Sequence, residues 1–223
     1  MGLAAVVCLY IWVEPRTEAS ASPDSVPHHI TSLIKEHRRA LATAGLAVAS
    51  LQLVRSGRDV ALPLWADMHG MTPAQISAMF AAMFLLDMAV FYPAGWTMDR
   101  VGRRSVFLAS TFVLSVGLGL LSITEGIASI TFVALLTGLG NGLGSGINLT
   151  LSSDLAPRES RSEFLGLFRL VTDSGVGLGP LVVGASSAVA GLAFALVTTS
   201  GIGFIGLALF WLTVPETLVK RAG

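Results

Sequence analysis

Charge and cysteine are what this sequence is short of. Only 13% of its 223 residues are charged, against 53% hydrophobic, and 14 basic residues cancel 14 acidic ones. Soluble domains carry about 25% charged residues, so a chain wetted on every side is excluded. A net charge of zero gives no general pull toward nucleic acid. One cysteine, Cys8, excludes an intrachain disulfide framework and any multi-cysteine metal centre. The four histidines, His28, His29, His37 and His69, stand mostly in polar connectors, the setting of solvated residues rather than metal ligands. Within the apolar stretches there is no His/Glu metal pair, no serine or cysteine nucleophile beside a base, and no cofactor motif. Intramembrane catalysis is therefore not expected, and neither is a metal or a cofactor.

Long apolar runs are what the sequence has in quantity. Six of them, roughly 39–62, 73–95, 104–124, 127–151, 163–188 and 190–213, are each long enough to span a bilayer with some tilt. Short connectors force neighbours to run antiparallel, so the expected fold is an all-α polytopic six-helix bundle over 39–214. A shorter run, 2–13, is too short to cross alone. It reads either as a signal peptide, although no Lys or Arg precedes Arg16, or as the tail of a transmembrane helix whose beginning lies elsewhere. The second reading is preferred, because the exit Val13-Glu14-Pro15 loosely echoes Val214-Pro215-Glu216. Residues 14–38 form a polar linker, with at most a short amphipathic helix near 30–37, and 215–223 form a C-terminal tail.

Basic residues orient the bundle. Arg16, Lys35, Arg38, Arg39, Arg100, Arg103, Arg104, Arg158, Arg161, Lys220 and Arg221 fall on one side; Arg55 and Arg58 lie toward the other. The positive-inside rule then makes linker and C-terminus cytoplasmic in a multi-pass plasma-membrane protein. Two three-helix units of opposite orientation would follow, placing functional groups near the midplane between them.

Charges within the spans are the sharpest signals, because each is costly in hydrocarbon. Asp87, in the middle of the second span, stands alone in sequence. A carboxylate there is expected to take up a proton part of the time or to pair with an arginine, which makes it the candidate for proton coupling. The alternative is a packing residue hydrogen-bonded to a neighbour. Arg55, Arg58 and Asp59 either form the outer rim or line a cavity, Arg55 being about 22 Å along the helix from Ala40. Arg169 and Asp173, i and i+4, are placed to form an intramembrane ion pair. Gly138, Gly142 and Gly146 repeat at four-residue spacing and predict close helix packing. Gly175, Gly179, Pro180 and Gly184 predict a packing and kink site.

The turn Gly95-Trp-Thr-Met-Asp99-Arg100-Val-Gly102-Arg103-Arg104-Ser105 lies between two apolar spans, and Gly95 and Gly102 are expected to permit its tight backbone. Its pattern, Gly-x-x-x-Asp-Arg-x-Gly-Arg-Arg, resembles the signature loop of the major facilitator superfamily of secondary transporters. The run Gly175-x-x-x-Gly179-Pro180-x-x-x-Gly184 resembles the superfamily's antiporter Gly-Pro motif, with Val183 in place of an expected glycine.

The resemblance implies the later half of a twelve-helix transporter: the end of helix six, the central linker, and helices seven to twelve. It implies that Asp99, with Arg100, Arg103 and Arg104, latches against the opposite half. It places Arg55, Arg58, Asn141, Ser145 and Asn148 as substrate-cavity candidates, with Asp59 beside them. The expected activity is proton-coupled efflux of a small organic solute, completed by a missing N-terminal half or a second copy. The rival expectation is a truncated, non-transporting chain that pairs with or regulates another transporter.

Overall fold

The computed structural model describes residues 34–35, 37–157 and 160–214. Two compact units divide between Glu36 and His37. Of the first, only Ile34 and Lys35 are described, both helical and exposed; the second carries the helical body. The segment 1–13, residues 14–33 of the linker and the tail 215–223 lie outside the described residues, as does Arg158.

Among the described residues the elements are all helices. A π-helical turn, Leu41–Gly45, leads into α1, Leu46–Met68; then come α2, Pro73–Arg100, α3, Arg103–Leu121, α4, Ile127–Leu143, α5, Ile147–Leu155, and α6, Arg161–Thr213. Local sequence explains the starts and stops. Thr72 caps α2 in a capping box: its hydroxyl accepts the Gln75 N–H while the Gln75 Oε1 takes the Thr72 N–H, and Pro73 follows at the first helical position. Gly102, Gly146 and Gly191 have φ of 118°, 83° and 82°, a region that side chains with a Cβ rarely enter. They mark the α2–α3 reversal, the α4–α5 break and a break inside α6.

That last break makes α6 a hairpin. Ala190 and Gly191 are non-helical, and Val183 and Thr199, from opposite sides of them, both lie against Gly57 of α1. Gly175 and Gly206 likewise both meet α1, near Ala49 and Ser50. The first leg of α6 therefore runs parallel to α1 and the second antiparallel. α2 runs parallel to α4, Met83 meeting Gly138 and Asp87 meeting Gly142. α3 runs antiparallel to the second leg of α6, with Phe107 stacked on Phe210 at 3.9 Å and Phe112 edge-on to Phe204.

Among the described residues, four helices are long and apolar enough to cross a membrane: Pro73–Arg100, Arg103–Leu121, Ile127–Leu155 (α4 with α5) and Arg161–Thr213. The difference from six apolar runs has two causes. The fifth and sixth runs join in one 53-residue helix that folds back on itself. α1 is long enough, at 23 residues, but its middle carries Arg55, Arg58 and Asp59. The outward faces are strongly apolar, with Leu85, Met88 and Tyr92 of α2 and Leu181 and Val189 of α6 all exposed.

The glycine expectations divide. A Cβ on Gly138 or Gly142 would press on the α2 backbone, at Met83 O (2.8 Å) and Asp87 O (2.7 Å). A Cβ on Gly175 or Gly179 would strike the α1 backbone, in the latter case at Leu53 O (2.7 Å). Gly146 and Gly184, by contrast, have nothing within 4 Å of a built Cβ. Gly146 serves a left-handed turn rather than a packing contact, and Gly184 faces outward, exposed. Pro180 lies inside the first leg of α6, and the non-helical dihedrals fall further on, at Ala190 and Gly191.

Gly179→Leu should therefore destabilise the bundle by about 1–3 kcal/mol through overpacking against α1, whereas Gly184→Ala should be close to silent. Unfolding of the two purified variants in detergent, followed by circular dichroism, checks the contrast.

Candidate functional site

Close packing of α2 on α4 brings polar side chains together in the bundle. With Gly138 and Gly142 admitting the α2 backbone, Asn141 faces Asp87 and its Nδ2 donates to Asp87 Oδ2 at 2.6 Å. Ser145 Oγ donates to the other carboxylate oxygen at 3.4 Å. Asp87, isolated in sequence, thus faces one donor on α4 and one in the turn that follows it, where the Ser145 hydroxyl also lies 3.1 Å from the Asn141 carbonyl. Arg55 of α1 reaches the same helix: Nη1 donates to Gln52 Oε1 at 3.2 Å and Nη2 to the Asn141 carbonyl at 3.4 Å. Asn141 consequently bridges a cation and an anion, its backbone serving one and its side chain the other. Gly144 is part of this arrangement, since a Cβ there would collide with Arg55 Nη2 and Ser110 Oγ. Ser110 turns its own hydroxyl to the Gly140 carbonyl at 2.7 Å.

One turn further along α1, Arg58 is 2% exposed. Its Nε and Nη2 donate to Asp59 Oδ1 at 3.0 and 2.7 Å, and Nη1 donates to the Thr137 carbonyl at 3.3 Å. Arg58 is therefore an interior residue rather than a rim residue, with the half-exposed Asp59 as its counter-ion.

Two hollows flank the Gly144–Gly146 break. The smaller, about 360 Å³, is lined by Asp87, Met88, Phe91 and Ser145. The larger, about 620 Å³, is lined by residues including Gln52, Asn148, Ser152, Phe168, Arg169 and Asp173. Arg169 Nε donates to Asp173 Oδ2 at 3.2 Å. Asn148 donates to Thr172 Oγ1 at 3.3 Å, tying α5 to the first leg of α6.

The signature turn is shorter than its sequence suggests. α2 stays helical through Gly95, Asp99 and Arg100, leaving Val101 and Gly102 to make the reversal. Gly95 is therefore a helical residue and not part of the tight backbone. Asp99 is exposed, and Arg100 lies over the Trp96 ring at 4.2 Å. Arg103 pairs with Asp154 at the end of α5 at 2.6 Å, and Arg104 Nη2 donates to the Trp211 carbonyl at 2.7 Å. The basic residues thus tie the turn to α5 and to the second leg of α6.

Sequence reasoning did not single out Gln52, Ser110 or Asp154. Asp154 left a usable trace, being an acid at the end of a span on the same side as the basic turn. Gln52 and Ser110 left none, because one polar residue among apolar ones does not announce which helix it will meet.

The chain matches the Major Facilitator Superfamily over residues 44–223. It is 25% identical over 206 residues to an uncharacterized MFS-type transporter of Mycobacterium tuberculosis, covering 90% of this chain and 48% of that protein. It is 23% identical over 159 residues to a Pectobacterium atrosepticum protein named for multidrug resistance, MdtD, covering 71% of this chain and 34% of that one. To an arabinose-proton symporter of Bacillus subtilis it is 20% identical over 110 residues, 49% of this chain and 24% of that protein. The chain therefore spans about a quarter to a half of the length of these curated relatives.

Arg103 and Asp154 are each largely shielded from solvent, at 17% and 26% side-chain exposure. A double-mutant cycle with Arg103→Gln and Asp154→Asn should give a coupling of about 1 kcal/mol favouring the pair. Chemical unfolding of the four proteins in detergent measures it, and additivity would remove the link.

Proposed function

The chain belongs to the major facilitator superfamily, and from that premise we propose that its six helical legs form one half of a secondary transporter. It is an integral membrane protein, and its family is one of transporters rather than enzymes. On this reading it moves a small organic solute across the plasma membrane by proton-coupled efflux. The linker and C-terminus lie in the cytoplasm, where the basic residues of the 100–104 turn and of 35–39 are retained. A second six-helix unit covers the face bearing the two hollows, whether it is another stretch of polypeptide, a second copy or a separate chain. Rocking of one unit against the other would expose the hollows alternately to either side.

The observation that carries this reading is the Asp87 carboxylate at the wall of a hollow, held by Asn141 and Ser145, with Arg55 on the same asparagine. Proton uptake would cancel the carboxylate charge and weaken the grip of Asn141, while Arg55 keeps its charge. The balance between Arg55 and Asp87 would then shift each time a proton arrives or leaves, and that shift couples proton movement to rearrangement of α1, α2 and α4. Asp99, exposed at the end of α2, is placed to meet the opposite unit as a latch.

The rival reading is a chain that does not itself transport but pairs with or regulates another transporter chain.

The purified chain, reconstituted in vesicles with an imposed pH gradient, tests both readings with ethidium as the reporter solute. Asp87→Asn should reduce gradient-driven movement by ~tenfold or more, since an amide does not exchange a proton with the medium. Asp99→Asn should slow movement with insertion intact. Wild-type coupling in Asp87→Asn would remove the proton-carrier role. A correctly inserted wild-type chain that moves no ethidium, either alone or fused to a second copy of residues 39–214, would favour the regulatory reading.

A further inference from the structure

Arg169 and Asp173 form an ion pair in an unusual place. They lie on the first leg of α6, Arg169 about 12 Å along the helix axis from Arg161, with side chains 80% and 48% exposed. An arginine so exposed within a span would cost several kcal/mol against hydrocarbon, so this face is not a lipid face. It opens instead on the larger hollow, about 620 Å³, where Gln52, Asn148 and Ser152 add polar groups and Leu149 and Leu165 add apolar wall.

The pair does little to hold the helix, because exposed i,i+4 pairs contribute only marginally to stability. Its geometry also leaves charge to spare. Of the guanidinium's five donors, only the Nε–H is engaged among the described residues, to Asp173 Oδ2 at 3.2 Å. The Nη fork of Arg169 and the second oxygen of Asp173 remain open. A planar guanidinium fork matches a carboxylate, and a carboxylate oxygen matches an ammonium group. An ion of a single sign would be drawn to one partner and repelled by the other. A molecule carrying both signs satisfies the two together.

We propose that the Arg169–Asp173 pair is the charge-selecting wall of a substrate subsite for small zwitterions, the carboxylate of the solute on Arg169 and its ammonium on Asp173. Gln52, Asn148 and Ser152 supply hydrogen bonds, and Leu149 and Leu165 take the apolar body. This deepens the transporter reading and rests on it.

Three probes of one shape test the proposal: phenylalanine, its decarboxylated cation phenethylamine, and its deaminated anion 3-phenylpropionate. Binding to the purified full-length chain in lipid nanodiscs is followed by calorimetry. Phenylalanine should bind about tenfold tighter than either single-charge probe, the factor expected from one charge-assisted hydrogen bond. Arg169→Gln should abolish that preference in favour of phenethylamine, and Asp173→Asn in favour of 3-phenylpropionate. The exchanged double variant, Arg169→Asp with Asp173→Arg, should restore the preference for phenylalanine with the molecule reversed, and it carries the test if a single variant fails to insert. Equal binding of the three probes, binding of none at millimolar concentration, or a zwitterion preference unchanged in both single variants would overturn the subsite. Altered selectivity alongside unaltered coupling in Asp87→Asn would sink the coupling reading alone. Loss of coupling in Asp87→Asn with unaltered selectivity in the pair's variants would sink the subsite alone.

Discussion

A charge carried into an apolar bundle has to be neutralised or hydrogen-bonded within the bundle, because neither lipid nor a packed core will solvate it. The polar architecture of this protein follows from that constraint. Arg58 is buried with Asp59, Arg55 and Asp87 share Asn141, Arg169 meets Asp173, and Arg103 meets Asp154. Each arginine has an aspartate near it or one residue away. Their surroundings nonetheless differ. Arg103–Asp154 is largely shielded, whereas Asp87 and the Arg169–Asp173 pair border open hollows. Pairs that are enclosed hold structure together; those beside a hollow remain available to a proton or a solute.

Glycine is the means by which this pairing is reached. Side chains as short as Asp and Asn bond directly across two helices only when the backbones approach closely, and Gly138 and Gly142 permit that approach between α4 and α2. Gly175 and Gly179 do the same between α6 and α1. At Gly146 the role changes. Its positive φ interrupts the span, and the two hollows lie on either side of the interruption. A broken helix lining a cavity is where a membrane bundle tolerates irregular backbone, because the unpaired groups face water or a solute rather than lipid.

Much of the fold was legible in the sequence, for a physical reason. Lipid admits few solutions for a backbone, so apolar run length and the placement of arginine say where helices lie and which ends share a side. The sequence also pointed to Asp87, Asn141 and Ser145 as separate polar intrusions, yet did not join them. Asp87 and Asn141 belong to different runs, and their contact depends on the register in which α2 lies along α4. Gly184 misled, because a glycine on an outward face has nothing to pack against. Gly95 misled in a related way, since α2 runs past it to Arg100.

By itself, the sequence determined that this is an all-helical membrane protein, which turn carries the family's signature, and which charges sit within apolar runs. Those properties are local, set by side-chain hydrophobicity and spacing along one strand of chain. Only the tertiary structure decided that Asn141 stands between Arg55 and Asp87, that Arg103 belongs to Asp154, and that Arg169 and Asp173 look into a hollow. Such pairings depend on the distance and register between helices remote in sequence, and these are settled by how glycine-lined faces pack.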